Sequence, residues 1–241
     1  MPIAISAMPA LVSSATMSPV VFIDTCTFLD VLRQPFRAKD PQTAKSTIDS
    51  AKRFLAAASA VAPLVHLVTA EIVVKEWSDN LPTVATELTR HIDNVESSLE
   101  RLSSCGPLLI DPAHIFAAIK GARTNADTLQ PLAEQLIAAS HVISSNPAIR
   151  EAAYNREVQG LGPAKKGKQC IKDCTVAETL IQMTEELRTN GFGGAVLLVT
   201  SNTQDFTDGG LRPHVDLQGD FTKLRIGLAT TWPHAAHSVG I

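Results

Sequence analysis

The chain has 241 residues, of which 45% are hydrophobic and 19% charged, with a formal net charge of −3. That length and composition suit one soluble globular domain with a sizeable core. They argue against a strongly basic nucleic-acid binder but allow a local basic patch, and an acidic balance suits a site that gathers carboxylates around a cation.

Residues 1–18 are apolar and small, with prolines at 2 and 9 and no Lys or Arg to open a secretory signal. No continuous apolar run is long enough to span a membrane. The expectation is a disordered lead-in to a cytoplasmic protein. Residues 19–24 then read as a buried strand, VVFI running into Asp24, and residues 25–33 as the start of a helix capped by Asp24 or Thr25. A further amphipathic helix covers 43–60. LVHLV at 64–68 is a second strand, and AEIVVKEW opens a helix with Thr69 as its cap. Residues 84–103 have helical charge spacing, and 113–142 give one or two more helices with a break near Pro131. Residues 146–170 mix Pro, Gly and Lys and read as a loop with a short helix. Residues 171–190 form the clearest helix, ended by Asn190-Gly191. AVLLVT is a strand entering the loop SNTQDF, and KLRIGLATTW supplies the last strand. The alternation argues an α/β sandwich around a mainly parallel sheet. It reads as a single domain over 19–241 with a helical elaboration at about 84–165. The four cysteines (26, 105, 170 and 174) fit no zinc spacing and read as reduced thiols.

The carboxylates carry the chemistry. Ligands of an open parallel sheet bind beyond the carboxyl ends of its strands. Asp24 ends the first strand, Asp205 follows AVLLVT, Glu71 and Glu76 follow the second strand, and Asp173 opens the clearest helix. Acids gathered at one edge repel one another unless a cation holds them, and hard oxygen donors without a His or Cys cluster suit Mg2+ or Mn2+. Each acid also has an ordinary alternative: Asp24 and Asp173 as helix caps, Asp205 as a turn residue. Glu71 and Glu76 are five apart on one helix, so at most one enters such a site.

Four blocks, VVFIDTCTFLDVL, IVVKEW, KKGKQCIKDCTVAETL and LLVTSNTQDF, occur in an order that resembles the PIN-domain nucleases, especially the larger PIN-like proteins. The resemblance implies a three-layer α/β/α sandwich and a divalent-metal phosphodiesterase acting on RNA, or on structured DNA. It matches Asp24, Glu76 and Asp173 to the first three acidic ligands. Where the family often carries the fourth acid this chain has Asn202, with Asp205 three residues on as the substitute. Thr25 and Thr200 are expected as polar supports. The lysines at 165, 166, 168 and 172 form a basic run suited to a phosphate backbone, although a solvated run is the commoner meaning of such a stretch. The resemblance also leaves room for a homodimer and for an antitoxin-like protein partner. A phosphatase of the haloacid dehalogenase type needs an Asp two residues after the first, and Cys26 stands there. The third alternative is a PIN-like module that binds RNA or a partner without cleaving, which Asn202 keeps open.

Overall fold

The computed structural model describes residues 2–12, 17–105, 117, 120–124, 126–164 and 170–241. In chain order the elements are α1 (Met8–Leu11), β1 (Val20–Ile23), α2 (Thr25–Arg37), α3 (Pro41–Ala58), β2 (His66–Ala70), α4 (Glu71–Cys105) and α5 (Leu129–Ala138). They continue with β3 (His141–Ile143), α6 (Pro147–Gln159), α7 (Ile171–Thr189), β4 (Val196–Val199), α8 (Thr203–Phe206), α9 (Val215–Leu224), β5 (Ile226–Ala229) and α10 (Trp232–Val239).

The five strands form one all-parallel sheet in the order β3-β2-β1-β4-β5. β1 is its centre, pairing Val20 with His66 on one side and Ile23 with Val199 on the other. All four β1 residues are fully buried, as expected for a strand covered on both faces. Helices α2, α3, α4, α5 and α10 pack as one group, while α1, α6 and α9 pack around α7. The result is an α/β/α sandwich, as the sequence led us to expect. Trp232 locks the first group: its indole Nε1–H donates to the Thr27 carbonyl at 2.9 Å, and its ring packs against Phe28 and Phe54.

Several local expectations change. The lead-in is not disordered over its described part: the Ile3 N–H donates to Val142 O at 2.7 Å, and Met8 and Val12 are buried in the core. Thr69 is not a helix cap but the fourth residue of β2, and its hydroxyl donates across the sheet to Ile23 O at 2.8 Å. The helix after β2 runs unbroken from Glu71 to Cys105 through Pro82. The elaboration is not wholly helical, because it contributes the edge strand β3. In place of the loop with a short helix expected over 146–170, Pro147–Gln159 form α6, a 13-residue helix. Asn146 caps it by accepting from the Ile149 N–H at 2.8 Å, Pro147 occupies its first turn, and Gly160 ends it at φ 66.

Candidate active site

In the order 3-2-1-4-5 the chain winds outward from β1 in one direction and from β4 in the other. The carboxyl ends of β1 and β4 therefore flank the switch point of the sheet, where open parallel sheets bind their ligands. A cleft of about 470 Å³ lies there. Its floor includes Asp24, Glu76 and Asp173, brought from the end of β1, the second turn of α4 and the first turn of α7.

Asp24 caps α2 and is 4% exposed, so its charge depends on local donors. The Thr25 N–H donates to Oδ1 at 2.7 Å; the Thr200 hydroxyl and the Cys26 thiol donate to Oδ2 at 2.7 and 2.9 Å. Burial raises its pKa, these three donors lower it, and the Glu76 charge raises it further. Cys26 is therefore more than a spare thiol. Burial and the Asp24 charge push its own pKa well above the usual value, so it stays protonated as a donor.

Glu76 is fixed from two sides. The Thr25 hydroxyl donates to Oε2 at 2.8 Å, and the Lys172 ammonium pairs with Oε1 at 3.1 Å. Glu71 turns away and accepts from the Ser145 N–H at 3.1 Å. The Asn202 amide donates to Asp173 Oδ1 at 3.3 Å, while the Asn202 N–H donates to the Thr200 hydroxyl at 3.1 Å. The pKa of Asp173 is raised to about 7, chiefly by burial, then by the charges of Asp24, Asp205 and Glu76. Asp205 sits on α8 beside the cleft rather than in its lining, and acts on Asp173 through its charge. Lys165, Lys166 and Lys168 lie outside the described residues; Lys172 is described, and its ammonium is engaged with Glu76.

A family model for the PIN domain matches residues 21–206, well over half of the chain. The chain belongs to the PIN-domain family. No curated protein and no solved structure matches the chain. A PIN domain is a nuclease-like fold, and the matched span runs from β1 through α8, so it contains every cleft residue named above.

The donor set of this PIN domain suits a hard divalent cation in kind: carboxylate, hydroxyl and amide oxygens from separate elements, with mutually destabilised charges. In the arrangement observed, no group of three or more His, Cys, Asp or Glu side chains among the described residues is drawn together closely enough to hold an ion. The carboxylate oxygens are spent instead on the Thr, Cys, Lys and Asn donors just described. Among the described residues no helix is long and apolar enough to cross a membrane.

Reading the sequence missed the wall of the cleft formed by α2. Cys26, Asp30, Arg33 and Arg37 all line it, along with Ser201 and Asn80. The signal was present in the spacing, since positions 26, 30, 33 and 37 follow the three-to-four rhythm of one helix face. Burial raises the Asp30 pKa, an effect that Ser201, Arg33 and Arg37 partly offset.

Proposed function

We propose that this PIN domain is a divalent-metal-dependent phosphodiesterase, with RNA as its substrate. The observation that carries the reading is the meeting of Asp24, Glu76 and Asp173 in one cleft, where burial first and then the neighbouring acids push Asp173 up to about 7. Asp24, Glu76 and Asp173 would hold Mg2+ or Mn2+, with Asp205 and Asn202 at the margin of the site. Bound there, such an ion supplies Lewis-acid stabilisation of the phosphoryl oxygens and lowers the pKa of a water.

The chain's own groups prepare this. Thr200, Cys26 and the Thr25 N–H fix both Asp24 oxygens, so that carboxylate has one orientation. Thr25 also fixes Glu76, which couples the first two acids through a single side chain. Asn202 orients Asp173 without adding charge, a role open to an amide where an acid would increase the repulsion. The Lys172–Glu76 pair balances one carboxylate across the cleft. Preorganised groups of this kind act where charge develops in the transition state.

The test is cleavage of mixed single-stranded and structured RNA by the full chain in Mn2+, Mg2+ or EDTA, beside an Asp24→Asn variant. Metal-dependent cleavage lost in the variant supports the reading. Binding without cleavage by folded wild-type protein replaces it with a non-catalytic RNA-binding module.

A further inference from the structure

Among the described residues, one buried side-chain nitrogen or oxygen makes no hydrogen bond: Arg33 Nε. The buried Arg156 and the half-buried Arg188 are both engaged at Nε. Arg156 Nε donates to Glu178 at 2.7 Å and its Nη1 to Gly162 O at 2.8 Å. Arg188 is held by the carbonyls of Leu224, Phe192 and Gly194. A buried donor without an acceptor is costly and rare in folded chains. Arg33 lines the same cleft as Asp24, Glu76 and Asp173, and its enclosed Nε finds no acceptor in the protein.

We propose that Arg33 anchors a phosphate of the nucleic-acid substrate at the cleft, an assignment that rests on the nuclease reading above. With Nε enclosed, the two terminal nitrogens of the guanidinium present the fork that matches two phosphate oxygens. The neighbouring cations are committed elsewhere: Arg37 to Glu87 at 3.5 Å, and Lys172 to Glu76 at 3.1 Å. The three floor carboxylates repel a polyanion, so a cation on the wall is needed to hold a phosphate beside them. Burial and the Arg37 charge disfavour the charged guanidinium, and Asp30, one turn before Arg33 on the same face, partly offsets this without occupying Nε.

The experiment is fluorescence anisotropy of a labelled oligouridylate with the full chain, across a salt series, with Ca2+ in place of Mn2+. Arg33→Met keeps the apolar stem and removes the fork. It is expected to weaken binding about tenfold and to reduce the log–log salt slope by about 0.7, the value for one phosphate of a single strand. Arg33→Lys restores the slope but not the affinity, because a point charge replaces a bidentate fork. Lys52→Gln, on the exposed face of α3, changes the net charge equally and leaves both readouts unchanged. Urea denaturation should show Arg33→Met at least as stable as wild type. Wild-type slope and affinity in Arg33→Met overturn the proposal, as does equal unfolding of the Met and Lys variants, which marks a structural arginine. Cleavage by wild type with an unchanged slope in Arg33→Met overturns the anchor alone. A changed slope without any cleavage upholds the anchor and overturns the nuclease reading.

Discussion

Replacing Asp173 with asparagine isolates the electrostatic cost that the cleft places on the fold. The native carboxyl has its pKa raised from 3.8 to about 7 by burial and by Asp24, Asp205 and Glu76. Because the folded pKa lies above the unfolded one, the native state is not penalised below pH 3.8, is penalised increasingly as pH rises, and carries the full penalty above about 7. At about 1.4 kcal/mol per pH unit the interval gives an upper bound of about 4 kcal/mol. Partial exposure screens this, and Asp173 loses a favourable place in the first turn of α7 worth about 0.3–1 kcal/mol. Asp173→Asn should therefore be about 1–2 kcal/mol more stable than wild type near pH 8 in EDTA, and no more stable near pH 4. Urea titrations at a series of pH values measure this directly. Adding Mn2+ at about a hundred times its Kd should then stabilise wild type by about 2.7 kcal/mol, enough to reverse the order if the variant no longer binds. A variant that is less stable than wild type near pH 8, or whose offset is the same at every pH, would refute the reasoning.

Thr200→Val removes the 2.7 Å donor to Asp24 and the acceptor of the Asn202 N–H. It should cost about 1–3 kcal/mol in urea and lower kcat at least about tenfold with little change in KM. Asn202→Asp sets a further charge against Asp173; calorimetry should show Mn2+ binding about tenfold tighter, and the protein in EDTA should lose stability above neutral pH. Arg156→Leu leaves Glu178 buried without its partner and should cost about 3–5 kcal/mol by denaturation, most of which Glu178→Leu in the same chain should restore.

The centre of the fold was legible because its residues obey simple rules. Four apolar residues ending in Asp24 could hardly be other than a buried strand feeding a capped helix, and Ile171–Thr189 begins and ends where its acid and its Asn-Gly pair indicate. β3 escaped because three residues, two of them only half-buried, give no alternation to read. The full length of α6 escaped because its buried face is Ile149, Ala153 and Arg156, and an arginine at a core position breaks the apolar stripe. Its caps, Asn146-Pro147 and Gly160, were the better signal. In the cleft, the acids stood out through charge at strand and helix ends, and Glu76 could be preferred to Glu71 only through resemblance, until geometry sent Glu71 to Ser145. Cys26 and Arg33 were overlooked because a thiol and a surface cation carry no motif; what distinguishes them is a hydrogen bond made to Asp24 and one not made at Nε.

The 35 residues of α4 span about 50 Å, several times the length of any strand in the sheet. Glu76 and Asn80 lie near its start, and Pro82 follows at once, with no N–H to offer the Ser78 carbonyl. The missing rung falls between the cleft and the outer turns and is a weak point within one continuous helix. Val84 and Leu88 moor the turns beyond it to the core, and from Val95 onward the apolar residues of this outer arm turn outward. The cleft edge is thereby set apart from the outer arm by that weak point.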